Sequence, residues 1–270
     1  MLYFKNKTAI VTGSAMGIGK AIALELCKQG ANVVLNGRNA ERLKKTYAEF
    51  KQKGFNVITV RADVTKSSEC EAIIQRAINI FGGVDILITN AGISMRERFE
   101  NIQPEVFSQI IESNINGSAF PALAALPHIK KTKGSIVFIS SAAGMIGLPT
   151  ASAYSAGKMA LTALAQSMKI ELANSGIHIG IVHVGFTKND DEKRVLNAKG
   201  ELIPVAERPA YLQQTQEEVA KAVLSTIRNK KFKVVLTFVG KLNAFAVRFF
   251  PGLVIRIVTA SQKKMEKLYK

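Results

Sequence analysis

Ser141, Tyr154 and Lys158 are the right residue types at a workable spacing to move a proton together. Tyr154-Ser155-Ala156-Gly157-Lys158 opens a segment of helical period, and the four-residue spacing puts the phenol and the ammonium on one helix face. A neighbouring cation favours phenolate and draws a tyrosine pKa from about 10 toward working pH, which is the tuning a general acid or base needs. Ser141 follows the apolar run Ser135 to Ser140 and precedes Tyr154 by thirteen residues, so a strand-to-helix return can bring its hydroxyl to the same substrate oxygen. Singly, each has an ordinary reading: a surface aromatic, a solvated charge, a turn residue. Together they form a proton-transfer device.

A device of this kind needs a partner molecule held beside it. Thr12-Gly13-Ser14-Ala15-Met16-Gly17-Ile18-Gly19 follows the first apolar run and opens the first helix-period segment. That context suits a phosphate-binding turn, in which glycines let the backbone approach a pyrophosphate and the helix N-terminus offers free N–H groups. The glycine spacing departs from G-x-G-x-x-G. At the end of the second run, where an acid would hold an adenosine 2′-hydroxyl, the chain reads Asn36-Gly37-Arg38. A guanidinium there suits a 2′-phosphate and points to NADP(H) over NAD(H).

The elements that must position these groups alternate along the chain. Ala9 to Thr12, Asn32 to Asn36, Asn56 to Arg61, Ile86 to Asn90, Ser135 to Ser140, Ile177 to Val184 and Lys233 to Val239 read as strands. Gly19 to Gln29, Ala40 to Gln52, Ser67 to Phe81, Pro104 to Ile129, Ala153 to Asn174 and Gln216 to Arg228 carry apolar residues at helical spacing. The expected class is α/β, a doubly wound parallel seven-stranded sheet with helices on both faces. Residues 1–240 read as a single dinucleotide-binding catalytic domain, and 241–270 as a basic, apolar C-terminal extension. Lys188 to Gln214 is polar, mixed in charge, and reads as an insertion over the site.

The motifs resemble those of the short-chain dehydrogenase/reductase family in its compact single-domain form. The resemblance rests on Thr12-Gly13-x-x-x-Gly17-x-Gly19, Asn90-Ala91-Gly92, Asn114, Ser141 and Tyr154-x-x-x-Lys158, within residues 7–190. It implies a Rossmann-type sheet and accounts for the glycine spacing. It also implies Tyr154 as the proton donor or acceptor, Ser141 as the group orienting the substrate oxygen, and Lys158 as the residue binding the nicotinamide ribose and lowering the Tyr154 pKa. Asn114, rather than nearby Asn116, would anchor a water that links the lysine to solvent. For the cofactor, the resemblance assigns the turn residues Gly13, Ser14, Met16, Gly17, Ile18 and Gly19, with Arg38 for the phosphate. Asp63 and Val64 would meet adenine, and Asn90, Ala91 and Gly92 would lie beneath the adenosine ribose. Gly185 and Thr187 match the segment that holds the carboxamide, although Val184 stands where the family has proline. Met16 stands where some NADP-dependent relatives carry a basic residue. Hydride transfer to or from nicotinamide needs no metal, and His128, His178 and His183 are scattered along the chain.

Composition narrows the setting. The chain has 270 residues, 47% of them hydrophobic and none Trp, which suits a core of small aliphatic side chains. Two cysteines, Cys27 and Cys70, build no disulfide framework and fit a reducing cytoplasm. Met1 to Lys7 lacks the apolar stretch of a secretory leader. The net charge of +17 is concentrated: eleven Lys/Arg face one acid between Arg228 and Lys270. No recognition helix or aromatic-basic motif accompanies that charge, so nucleic acid is not an expected partner. The tail from Gly240 mixes Phe245, Phe249, Phe250, Leu253 and Ile257 with these cations. It is similar in composition to the extension of the branch that includes 11-beta-hydroxysteroid dehydrogenases and lipid-active reductases. Two readings follow, a contact with an anionic membrane or a subunit interface. Met95, Phe99, Met145, Ile146, Leu148, Phe186 and Leu196 are expected to give the substrate pocket an apolar cast. The expected substrate is therefore a hydrophobic ketone or secondary alcohol, steroid-like or a long-chain lipid, and the resemblance adds a homodimer or homotetramer. A 3-oxoacyl-[acyl-carrier-protein] reductase is the alternative enzyme, and a cofactor-binding regulator the alternative outside catalysis.

Overall fold

The computed structural model describes residues 3–205 and 209–262. Its sheet starts with β1 (Thr8–Val11), β2 (Asn32–Gly37), β3 (Val57–Arg61), β4 (Ile86–Thr89), β5 (Ser135–Ser141) and β6 (His178–Val184). A separate antiparallel hairpin, β7 (Arg194–Leu196) and β8 (Leu202–Pro204), precedes the last sheet strand, β9 (Lys233–Val235). The seven strands lie in the order β3-β2-β1-β4-β5-β6-β9, and every neighbouring pair is parallel. The chain leaves β1 for β2 on one side and returns to β4 on the other, which opens a crevice above the carboxyl ends of β1 and β4.

The pleat divides each strand between two cores. Val11, Val33, Leu35, Ile88, Val137, Ile139 and Val182 face one side, against Ile22, Leu26, Val219, Val223 and Leu224. Ile10, Val34, Leu87, Ile136, Phe138 and Ile181 face the other, against Ile73, Ile74, Ala125, Ile129 and Leu161. A strand buried on both faces reads as a continuous β-branched or Leu run, and this is why the apolar runs locate the sheet.

The crossover helices are α1 (Gly17–Lys28), α2 (Ala40–Gln52), α3 (Ser67–Phe81), α4 (Pro104–Ile111), α5 (Gly117–Thr132), α6 (Ser152–Glu171) and α7 (Gln216–Arg228). Polar caps fix two starts near the crevice: Asn39 accepts from Arg42 N, and Thr215 and Glu218 form a reciprocal capping box on α7. One expected element, a helix over Pro104 to Ile129, is divided. A π-helical turn at Glu112–Asn116 separates α4 from α5 and inserts an extra residue beside the site.

The last strand also ends earlier than its apolar run suggests. Thr237 takes φ 65°, its hydroxyl accepts from Gly240 N at 3.0 Å, and α8 (Phe238–Phe249) begins where strand was expected. Pro251 then opens α9 (Pro251–Ala260). Lys263, Lys264, Lys267 and Lys270 lie outside the described residues. No helix among the described residues is long and apolar enough to cross a membrane.

Candidate active site

A cavity of about 540 Å³ lies above the β1–β4 crevice. Gly13, Met16, Gly17, Ile18 and Gly19 line one end, and Ser141, Tyr154 and Lys158 the other. The end of β5 supplies Ser141, and the first turns of α6 supply Tyr154 and Lys158. Gly144 lets these elements meet, because a Cβ there would stand 2.3 Å from Ser140 Oγ and 2.7 Å from the Lys158 carbonyl oxygen. Ser140 Oγ already donates to that carbonyl at 3.1 Å, which ties β5 to α6 one residue from Ser141.

Lys158 is buried, and its Nζ donates to Ile139 O at 3.0 Å. Burial lowers the ammonium from its ordinary range to about 8, helped by the charge of Lys193. Nζ lies 5.8 Å from the Tyr154 ring centroid, so cation and phenol ring share one face of α6 as the spacing requires. The Ser141 hydroxyl caps the short turn Ala142–Gly144 by accepting from Ala143 N at 3.2 Å.

Asn114 sits in the π turn, fully buried behind the cavity wall. Its Nδ2 donates to Ile93 O at 2.8 Å and Ile110 O at 2.9 Å, which aims Oδ1 away from both. That Oδ1 is buried with no protein partner. It borders Gly92, where a Cβ would lie 2.6 Å from Oδ1 and 3.3 Å from Lys158 Nζ. Asn114 Oδ1 and Lys158 Nζ thus flank one glycine-sized space, and an acceptor left unpaired in such a place suits a hydrogen-bonding visitor. On the other side, Gly157 brings α6 up to Asn114, with only 3.0 Å between its would-be Cβ and Asn114 Cβ.

The glycine turn fits an anion. Gly13 and Gly17 have φ 62° and 59°, and a Cβ on Gly19 would stand 2.3 Å from Gly13 O. The N–H of Gly17, at the amino end of α1, donates to Asp190 Oδ2 at 2.7 Å. A carboxylate oxygen thus occupies the amino end of α1, where free N–H groups and the helix dipole favour an anion. Asn90 braces the turn, its Nδ2 donating to Thr12 O and Gly13 O. Ser14 serves differently from its neighbours: it is fully buried, its hydroxyl donates to Val11 O at 2.8 Å and accepts from Asn36 N. Its side chain is therefore spent on joining β1 to β2, away from the cavity.

Arg38, Asp63, Val64, Ala91, Gly92, Gly185 and Thr187 all line the cavity. Arg38 pairs with Asp63 at 3.5 Å. Burial works to raise the Asp63 carboxyl, but hydrogen bonds from Thr65 and the Arg38 charge hold it below the ordinary carboxylate range. Thr187 Oγ1 donates to Gly185 O and accepts weakly from Gln214 Nε2, so this loop is braced by its own hydroxyl where proline is missing.

The expected apolar lining is only partly present. Met95, Leu148 and Phe186 line the cavity, whereas Phe99 is exposed and packs edge-on against Phe107. Leu196 is buried with Met95, because β7 bridges to Met95 and Arg96 and covers them. Met145 and Ile146 lie outside the lining, and Val195, Leu202 and Val205 from the insertion join it. Sequence reasoning missed Arg42, Asp190, Glu192 and Gln216, which all line the nucleotide end. Arg42 carried a signal, one helical turn beyond Arg38; the strap residues carried none. The described His, Cys, Asp and Glu side chains include no group of three placed to hold a metal.

Residues 7–199 match the family model described as short chain dehydrogenase. The chain is 35% identical over 201 residues to 11-beta-hydroxysteroid dehydrogenase 1A of Arabidopsis thaliana, covering 73% of this chain and 57% of that protein. The match thus spans little more than half the length of that plant relative. To dehydrogenase/reductase SDR family member 7B of Danio rerio it is 28% identical over 268 residues, 96% of this chain and 87% of the relative. An alcohol dehydrogenase from the archaeon Thermococcus sibiricus, solved with 5-hydroxy-NADP, superposes with a TM-score of 0.73 at 26% identity, covering 85% of this chain and 95% of that one.

Proposed function

We propose that this chain, which belongs to the short-chain dehydrogenase family, is an oxidoreductase that uses NADP(H) to interconvert a hydrophobic ketone and its secondary alcohol, steroid-like or long-chain. The observation that carries this reading is the convergence of Ser141, Tyr154 and Lys158 on one end of a cavity whose other end is an anion-binding glycine turn. Supporting the substrate class are Met95, Leu148, Phe186 and Leu202 in the lining, and the steroid dehydrogenase among the relatives.

The Tyr154 hydroxyl gives its proton to the carbonyl oxygen in reduction and takes it back in oxidation. Ser141 donates a hydrogen bond to that same oxygen and fixes its position. The Lys158 ammonium stabilises the phenolate that Tyr154 becomes, and Asn114 Oδ1 holds a water beside Lys158 Nζ through which the proton is replaced from solvent. When bound, the nicotinamide supplies or accepts the hydride at the substrate carbon. The backbone of Gly13 to Gly19, Ser14, Met16 and Ile18 included, would hold the pyrophosphate. Arg38 would take the 2′-phosphate, Asp63 and Val64 the adenine, Asn90 to Gly92 the adenosine ribose, and Gly185 and Thr187 the carboxamide.

Residues 1–240 form the catalytic domain in this reading, and the extension from 241 meets other surfaces. α8 and α9 expose Leu242, Phe245, Phe249, Leu253 and Ile257 among Lys241, Arg248 and Arg256, with no acid between residues 238 and 262. Apolar surface ringed by cations suits an anionic bilayer, next to which a lipid substrate would enter. Exposed Leu123 on α5 and Met159 and Ile170 on α6 suit a second copy of the chain and a homo-oligomer. The setting this reading implies is cytoplasmic, at a membrane surface.

The test is Tyr154→Phe, assayed by NADPH and NADH absorbance against steroid, long-chain and short ketones. Turnover should drop about 10²- to 10⁴-fold while NADPH binding stays within about twofold. Preference for NADH, or a phenylalanine variant that turns over normally, would overturn the assignment. Activity confined to acyl-carrier thioesters would favour the 3-oxoacyl reductase, and nucleotide binding without turnover of any carbonyl would favour a regulator.

A further inference from the structure

The segment after β6 crosses the nucleotide end of the cavity as a strap carrying two carboxylates, each seated on an anion-binding group. Asp190 Oδ2 accepts from Gly17 N at 2.7 Å, and its Oδ1 accepts from Gln216 Nε2 at 2.8 Å. Gln216 Nε2 also donates to Lys188 O at 3.0 Å, so the first residue of α7 clamps the strap at two points. Two residues on, Glu192 Oε2 accepts from Arg42 Nε at 2.8 Å. Arg38 stands on the connection between β2 and α2 and Arg42 in the first turn of α2, and both line the cavity.

We propose that Asp190 and Glu192 occupy the seats of the cofactor's two anionic groups, the pyrophosphate and the 2′-phosphate, and that Arg42 is the second cation that reads the 2′-phosphate. This rests on the dinucleotide reading above. Gly17 N–H cannot serve Asp190 and a phosphate oxygen at once, and Arg42 Nε has the same choice between Glu192 and a 2′-phosphate. Nucleotide and strap carboxylates therefore exchange on these donors. The strap is a latch that yields rather than a lock: the Arg42–Glu192 pair is well exposed on both sides, and an exposed ion pair is readily displaced by a doubly charged phosphate. Its ends stay anchored when the middle moves. Lys188 N donates to Gln214 O at one end, and Leu196 N to Ser94 O at the other. The two contacts predict different selectivities, because pyrophosphate is common to both dinucleotides and the 2′-phosphate is peculiar to one.

Isothermal titration of NADP⁺ and NAD⁺ into the full chain separates these effects, with circular dichroism confirming each fold. Asp190→Ala should tighten both nucleotides about fivefold. Glu192→Gln should tighten NADP⁺ by about threefold and leave NAD⁺ unchanged. Arg42→Ala should weaken NADP⁺ and spare NAD⁺. Asp191→Asn, between the two seats, removes the same charge without either contact and should leave both affinities at the wild-type level. Equal or weaker binding by the Asp190 and Glu192 variants, with binding by wild type intact, would overturn the strap and leave the dinucleotide reading standing. No heat with either nucleotide in any of the proteins would overturn both.

Discussion

His183, buried near the end of β6, meets the carbonyl oxygen of Ser141 through Nδ1 at 3.1 Å, while Nε2 is buried without a partner. A carbonyl only accepts, so the proton sits on Nδ1 and Nε2 keeps a lone pair. Protonating Nε2 would bury a charge, and burial lowers this imidazole to about 4, against the partial support of the Ser141 bond. The folded value lies below the unfolded value of about 6.5. Unfolded chains therefore bind the proton first, and the native state loses stability as pH falls from about 6.5 toward about 4, by up to about 3 kcal/mol. His178, also lowered by burial, adds to the same slope. Thermal unfolding at pH 7 and pH 5 should show a smaller drop for His183→Asn, whose amide can still donate to Ser141 O. An identical drop in the variant would place the acid sensitivity elsewhere. At this scale the spacing of Tyr154 and Lys158 was legible, since four residues on a helix always share a face. The unpaired Asn114 Oδ1 was not, because its direction depends on two carbonyls, Ile93 and Ile110, from separate segments.

Elements meet at the site through missing side chains as much as through present ones. α6 approaches β5 over Gly144 and the π turn over Gly157, and each contact would close on a methyl group. Gly144→Ala would push against Ser140 Oγ and the Lys158 carbonyl, both already engaged with each other. We expect a loss of about 1–3 kcal/mol together with a lower kcat, since any relief moves α6 and its Lys158 away from Ser141. Gly147→Ala, with open space at its Cβ, is the control. Melting temperature and steady-state rates of the two variants check this; equal behaviour would mean α6 is free to shift. Helix periodicity placed α2, α3 and α7 at their observed limits. It ran straight through the π turn, because a one-residue expansion leaves the apolar period of α4 and α5 almost undisturbed.

At the scale of the whole molecule, the densest group of exposed apolar side chains among the described residues lies on the two C-terminal helices. The Phe245 and Phe249 rings meet at a tilt, 4.7 Å apart, on the open face of α8, and Lys241 and Arg248 of α8 and Arg256 of α9 accompany them. Each cation near an anionic surface contributes about 1 kcal/mol, so replacing all three by Gln should weaken binding to phosphatidylserine vesicles about a hundredfold. Phe245→Ser with Phe249→Ser should weaken binding to the same vesicles, and neutral vesicles should bind poorly throughout. Co-sedimentation with vesicles and sedimentation velocity measured together decide the matter. A change in assembly mass without a change in vesicle binding would make this face a subunit contact. The sequence by itself determined the sheet, the glycine turn and the shared helix face of Tyr154 and Lys158, because each follows from local period or from residues a few positions apart. Only the tertiary structure decided which lining residues reach the cavity and what the turn holds. Asp190 and Gly17 are 173 residues apart, as Glu192 and Arg42 are 150, and no spacing rule spans such distances. The fold closes them by returning the chain from β6 across the crevice, so that charges far apart in sequence become neighbours in space.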